Sequence, residues 1–154
     1  MASFPTQEIA PSPRPRSANK GFRLCIFGSR PNAYLWPDKI DPFDAWQRLY
    51  EEKLAQIIPP FQNVDEVISG GTFGGDLAGE LWAQRRNLPV RHFPFDRSLG
   101  RGGGFARNVQ MSRFATHFLA LWDGRSRGAA HMIWTVRRAK KPLIVVHLDR
   151  EMFL

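Results

Sequence analysis

Short apolar runs alternate with segments of helical periodicity from residue 22 to the end of the chain. The runs predict buried strands, because they are only a few residues long and are bounded by Gly, Pro or polar residues. They cover Phe22–Phe27, Glu66–Ser69, Val90–Phe95, His117–Trp122 and Leu143–Leu148. Five strands separated by helices indicate an α/β fold with right-handed crossovers and a parallel sheet covered on both faces.

Four segments between these strands carry apolar residues at helical spacing. The first begins at Asp41-Pro42, which suits an N-cap followed by the first helical position, and it ends before Pro59-Pro60. The others are predicted over Gly75–Asn87, Gly102–Thr116 and Gly128–Lys140. We therefore predict a three-layer α/β sandwich with a five-stranded parallel sheet, and we assume that its strands lie in the order 3-2-1-4-5.

Three glycine-rich stretches directly follow predicted strands. Gly28-Ser29-Arg30 follows the first strand, Ser69–Asp76 the second and Asp123–Gly128 the fourth. In open parallel sheets, ligands bind beyond the carboxyl ends of the strands where the strand order reverses, here between the first and fourth strands. Glycine permits tight turns, and helix N-termini offer free N–H groups and partial positive charge. The three stretches are therefore expected to converge on a crevice for a phosphorylated nucleotide.

Candidate ligand-binding residues come from these stretches and from the third helix. They are Gly28, Ser29, Arg30, Ser69, Gly70, Gly71, Gly74, Gly75, Asp76, Arg107, Asn108, Asp123, Gly124, Ser126 and Gly128. A purely structural turn is the alternative role for the glycines of the second stretch. Helix capping is the alternative for Asp76 and Ser126. Arg125 and Arg127 are expected on the rim of the crevice.

In order and spacing, these residues resemble the SLOG superfamily, and most closely its YspA-like branch, over about residues 22–148. That superfamily includes the LOG phosphoribohydrolases and the DNA-processing protein of natural transformation. The resemblance is carried by Gly28-Ser29-Arg30, Ile68-Ser69-Gly70-Gly71, Gly74-Gly75-Asp76, Arg107-Asn108, Trp122-Asp123-Gly124, Ser126 and Gly128. It implies a Rossmann-like fold that binds a nucleotide or a nucleotide-derived ligand, in proteins that are enzymes in some cases and sensors in phage defence in others.

One position departs from the LOG pattern, because Met132 stands where that motif has a glutamate. Cleavage of an N-glycosidic bond needs a carboxylate near the ribose, and the nearest substitutes are Asp76 and Glu80. We therefore expect a nucleotide-binding sensor or regulatory domain without turnover. The first alternative is a nucleotide N-glycosidase with a relocated carboxylate.

Composition and charge bear on the partners. The chain has 154 residues and a formal net charge of +8, and most of its basic residues are arginine, which suits phosphate. A DNA-binding module is therefore the second alternative, although nucleic acid is not the favoured partner. The four histidines lack metal-ligand spacing, so neither a metal nor a required cofactor is expected. Cys25, the single cysteine, is expected to be buried in its strand.

Residues 1–21 are rich in proline and are predicted to form a disordered basic tail before a domain at 22–154. No apolar run approaches the ~20 residues that span a bilayer, and the N-terminus lacks the apolar core of a signal peptide. We therefore expect a cytoplasmic protein without a membrane partner. Trp134 and His131 are predicted to lie opposite the apolar face of the fourth helix, which suggests a homodimer.

Overall fold

A five-stranded parallel sheet forms the centre of the computed structural model, which describes residues 21–37, 43–100 and 102–154. The strands are β1 (Arg23–Gly28), β2 (Glu66–Ser69), β3 (Val90–His92), β4 (His117–Trp122) and β5 (Leu143–His147). They lie in the order β3-β2-β1-β4-β5, and each neighbouring pair is parallel. The predicted fold class and strand order are confirmed.

Helices cover both faces of this sheet. They are α1 (Phe43–Ile57), α2 (Gly75–Arg85), α3 (Gly102–Phe114) and α4 (Arg127–Arg138). Helices α1 and α2 pack together on one face, and α3 and α4 pack together on the other. Short 3-10 turns lie between β3 and α3, at Arg97–Leu99, and after β5, at Arg150–Phe153.

Alternate residues of β1 enter two separate cores, as the period of two in a strand requires. Leu24 and Ile26 pack under α1 and α2, whereas Cys25 and Phe27 pack under α3 and α4. Cys25 is fully buried, as expected, and burial raises the pKa of its thiol. The central strand is therefore apolar on both faces, and polar groups are confined to its ends.

Several predicted elements are too long, and the backbone explains where they end. Strand β3 ends at His92 because its neighbour β2 ends at Ser69, and the Phe93 N–H makes the last amide bond to β2, at the carbonyl of Ser69. Asn87 and Lys140, predicted inside the second and fourth helices, have φ values of 57° and 58°. This left-handed conformation is typical of the residue just beyond a helix C-terminus.

Two sequence-based expectations fall outside the described residues. These are the tail, apart from Gly21, and the start of the first helix at Asp41-Pro42. Over the part of the chain that is described, no helix is both long enough and apolar enough to cross a membrane.

Candidate functional site

A crevice of about 560 Å³ opens at the carboxyl ends of β1 and β4. Its walls come from the β1–α1 loop, the N-termini of α2 and α4, and one side of α3. Strand order reverses between β1 and β4, so the crevice lies where ligands bind in this class of sheet.

Nine of the fifteen predicted ligand-binding residues line this crevice. They are Gly28, Ser29, Arg30, Asp76, Arg107, Asn108, Asp123, Ser126 and Gly128. The other six do not line it: Ser69, Gly70, Gly71, Gly74, Gly75 and Gly124. The three glycine-rich stretches therefore converge as predicted, but the second contributes mainly through Asp76.

Gly74 and Gly75 allow α2 to begin directly against the end of β1. Gly74 has φ 98°, and a Cβ there would lie 2.2 Å from the carbonyl oxygen of Ser29. A Cβ on Gly75 would lie 2.4 Å from the backbone nitrogen of Gly28. Real side chains cannot approach backbone so closely, so the fold requires glycine at both positions.

Asp123 organises the loop between β4 and α4. Its Oδ1 accepts hydrogen bonds from the backbone N–H groups of Arg125 and Ser126, both at 2.8 Å, and its Oδ2 accepts one from Asn32 Nδ2 at 2.9 Å. The Asp123 N–H donates to Ser29 Oγ at 2.9 Å. Burial favours the neutral acid, but these hydrogen bonds outweigh it and hold the pKa of Asp123 below its ordinary value. The carboxylate is thus ionised, and its hydrogen bonds hold the loop in place.

The N-terminus of α4 faces the crevice without a side-chain cap. Ser126 occupies the N-cap position, but its hydroxyl bonds to Ser29 Oγ at 2.8 Å and makes no capping bond. Ser126 therefore stands at the N-cap, as the capping alternative required, but capping by its side chain is wrong. Because the first N–H groups of a helix have no carbonyl partner within it, the amides of Gly128 and Ala129 are left for an anion.

Asp76 is buried in the first turn of α2, at the opposite wall. Its Oδ2 accepts hydrogen bonds from the hydroxyl of Thr72 at 2.9 Å and from the Thr72 N–H at 3.3 Å. Burial raises the pKa of Asp76, and the Thr72 bonds and the charge of Arg107 only partly oppose this. The N-cap of α2 is Gly74, so the capping role considered for Asp76 is also wrong.

Arg107 brings a cation into the interior of the crevice. Its side chain is nearly buried, and Nη1 donates to the carbonyl of Gly70 at 3.0 Å. Its guanidinium carbon lies 5.9 Å from the centre of the Phe95 ring, while Nε is buried and has no hydrogen-bond partner. Arg107 therefore has a buried donor that nothing in the described protein satisfies.

Two further arginines stand at the crevice mouth. Arg30 and Arg125 are exposed and line it, and the Arg125 guanidinium lies 3.9 Å from the centre of the Tyr34 ring. Arg127 is exposed and does not line the crevice. Cations thus reach the crevice from the β1–α1 loop, from α3 and from the loop before α4.

Apart from Met132, the apolar lining was not found from the sequence. Tyr34 and Phe105 line the crevice with 42% and 47% of their surface exposed, and the inner wall contains Phe27, Met111 and Met132. Phe105 directly follows a run of three glycines, and this run was the sequence signal that could have indicated a residue lining the crevice. An isolated aromatic residue in a sequence does not show whether it enters the core or faces solvent.

The side of α4 on which His131 lies differs from the prediction. His131 packs on α3: its Nδ1 lies 3.2 Å from Asn108 Nδ2, and its ring stacks on Phe105 with 4.2 Å between the centroids. The expectation that His131 faces away with Trp134 is therefore wrong. Of these two residues, Trp134 is the strongly exposed one, with 56% of its surface accessible.

The two candidate carboxylates are separated by the structure. Glu80 Oε2 accepts a hydrogen bond from Ser69 Oγ at 2.6 Å and lies 2.9 Å from His92 Nε2, outside the crevice. Asp76 lines the crevice, and so does Met132. Of the two substitutes for the LOG glutamate, only Asp76 has access to a bound ligand.

Histidine, cysteine and acidic side chains do not gather in threes around a potential metal position anywhere in the described ranges. Comparisons of this chain with protein-family models, with curated proteins and with solved structures found no match.

Proposed function

We propose that this protein binds a phosphorylated nucleotide in the crevice and acts as a sensor or regulatory domain without turnover. The observation that carries the proposal is the meeting of the uncapped N-terminus of α4 with Arg30, Arg107 and Arg125. Helix N-termini and arginine are the two protein groups that recognise phosphate most effectively. The volume of about 560 Å³ is in the usual range for small-molecule sites, about 300–1,000 Å³.

The two parts of a nucleotide match two neighbouring sets of groups in the crevice. Its phosphate suits the amides of Gly128 and Ala129 beside Arg125, and its base suits the exposed rings of Tyr34 and Phe105. The same loops carry the resemblance to the SLOG superfamily, which supports a nucleotide or nucleotide-derived ligand.

Asp76 supports a second candidate, a nucleotide N-glycosidase. A buried carboxyl with a raised pKa is suited to donating a proton to a leaving group. We favour binding alone because Met132 is apolar where the LOG motif has its carboxylate, and because Glu80 is engaged outside the crevice.

Calorimetric titration with a nucleoside and its mono- and diphosphates tests the proposal. The phosphorylated ligands should bind and the bare nucleoside should not. Arg107→Ala should weaken binding about tenfold or more, because a charge-assisted hydrogen bond contributes roughly 1.5–3 kcal/mol. Arg113→Ala, the same change at an exposed site on the same helix, is the matched control and should bind normally.

Because Arg107 is buried, its removal also lowers stability, so the titrations are run far below the melting temperature. Arg125→Ala removes an exposed cation and should weaken binding without affecting the core. Equal affinity for the nucleoside and its phosphates would exclude the phosphate site. Release of free base by the wild-type protein, lost in Asp76→Asn, would favour the glycosidase.

A further inference from the structure

The net positive charge of the chain comes from one continuous stretch. Residues 97–148 contain ten Arg or Lys and a single acidic residue, Asp123, whereas the rest of the chain contains twelve basic and thirteen acidic residues. The described part of the stretch forms the Arg97–Leu99 turn, α3, β4, α4 and β5, and its basic residues lie on or next to α3 and α4, which cover one face of the sheet. A field of one sign over one face of a protein attracts polyanions.

The exposed side of α4 carries part of this charge together with an aromatic ring. Arg127, Trp134 and Arg138 are separated by seven and four residues, which aligns them along one side of the helix over about 16 Å. All three are exposed, and the Arg138 guanidinium lies 4.8 Å from the centre of the Trp134 ring. Arg137 and Lys140 are exposed beside them. We call these five residues the α4 surface.

Among the described residues, the positive charges of the α4 surface are not balanced by acidic groups. None of them pairs with a carboxylate in the described part of the chain. The helix dipole accounts for Arg137 and Arg138 in the last turn, but it disfavours Arg127 in the first turn and does not concern Trp134. Cations without acidic partners around an exposed ring are complementary to a partner that has negative charge and flat apolar faces.

We propose that the α4 surface binds single-stranded nucleic acid, with its phosphates on the four cations and one base stacked on Trp134. Basic surfaces with aromatic stacking platforms bind single strands without reading their sequence, because every base has a π-face. The site is independent of the crevice, since none of the five residues lines it.

A second copy of the chain fits this surface poorly. A twofold contact uses the same patch on both partners, so it would set the cations of one copy against the cations of the other with no carboxylate on the surface to offset them. The homodimer expected from the sequence therefore becomes an outcome of the test. A lipid surface fits less well, because the apolar face of α4 is buried in the core and Trp134 is the one large apolar side chain on the α4 surface.

Fluorescence anisotropy of a labelled 20-nucleotide oligothymidine with the full chain tests the proposal. Affinity should fall as salt rises, with a log–log slope of about −0.7 for each phosphate contact. Arg137→Glu should weaken binding about fivefold or more at low salt and reduce the slope by about 0.7. Trp134→Ala should also weaken binding about fivefold or more but leave the slope unchanged, because stacking releases no counterions.

Arg48→Glu is the matched control, since Arg48 is exposed on α1 across the sheet and the charge change is identical. It should change affinity less than twofold. The proposal is overturned if Arg48→Glu and Arg137→Glu have equal effects, or if the oligonucleotide does not bind at low salt. It is also overturned if Arg125→Ala and free nucleotide abolish binding while Arg137→Glu does not, which would place the strand in the crevice.

Two further outcomes count against it. Light scattering that finds a dimer dissociated by Trp134→Glu would assign the surface to a second copy. Binding to phosphatidylserine vesicles without binding to the oligonucleotide would assign it to a membrane.

Discussion

Replacing Asp123 by Ala should collapse the loop that presents the N-terminus of α4 to the crevice. The Asp123 carboxylate accepts hydrogen bonds from Arg125 N–H, Ser126 N–H and Asn32 Nδ2, all at 2.8–2.9 Å. Alanine keeps the backbone but removes all three acceptors. The amides then have to find water in a half-buried loop, and Asn32 loses its link between the β1–α1 loop and the β4–α4 loop.

The expected loss of stability follows from the number of these bonds. A hydrogen bond to an ionised group contributes roughly 1.5–3 kcal/mol when buried, and we take about 1 kcal/mol for each because the loop borders solvent. The sum is about 3 kcal/mol, which lowers the melting temperature of a domain of this size by about 6–12 °C. Nucleotide affinity should fall with it, because Arg125 and Ser126 lose their positions.

Urea denaturation of wild type and variant measures the difference directly. Asp149→Ala is the matched control, because Asp149 is exposed and its carboxylate accepts one backbone bond, from Glu151 at 3.0 Å, so about 1 kcal/mol or less should be lost. Equal losses for the two variants would refute the assignment of the loop to Asp123.

The pH dependence gives an independent check on the same carboxylate. The pKa of Asp123 is lower in the folded protein than in the unfolded chain, so its contribution is complete above the unfolded value, about 3.9. The difference between wild type and Asp123→Ala should stay constant from about pH 5 to pH 8. It should shrink as the pH falls below about 4 and the native carboxylate becomes protonated.

Three other predictions concern packing, chemistry and the cysteine. Gly74→Ala should cost at least about 2 kcal/mol in denaturation, because its Cβ would meet backbone at 2.2 Å with φ 98°, whereas Gly128→Ala, which has open space around it in a helix, should be neutral or stabilising. Base release from nucleoside monophosphates should be at background for the wild type. Met132→Glu places a carboxylate inside the same crevice and is the variant that could introduce base release. Robust release by the wild type that is lost in Asp76→Asn would show that the protein is an enzyme. Cys25 should not react with iodoacetamide until the protein unfolds, because burial raises its thiol pKa, and rapid alkylation in native buffer would contradict that burial.

Most of the fold was predictable because local patterns carry it. Apolar runs of four to six residues between helical segments leave few topologies other than a parallel sheet with covered faces, and the strand order that was assumed is the observed one. Element ends were less predictable. The left-handed backbone at Asn87 and Lys140 depends on how each helix meets the next turn, and neither residue type requires it.

The sequence also identified which loops form the crevice, because ligand position in open α/β sheets follows from topology. It could not separate residues that face the ligand from residues that support the wall. Gly74 and Gly128 are both glycines beside helix starts, yet one is pressed against backbone and the other borders open space. That difference depends on the distance between α2 and β1, which no local pattern encodes.

By itself, the sequence determined the alternation of elements, the loops that converge and the excess of charge in residues 97–148. Only the tertiary structure decided the partner of each polar group: Asp123 bonds to its own loop, Glu80 to Ser69 and His92, and Asp76 faces the crevice. The reason is physical. Burial and hydrogen bonding depend on atoms brought together from distant parts of the chain. An aspartate is therefore the same residue in the sequence whether it stabilises a loop, as Asp123 does, or lines a crevice, as Asp76 does.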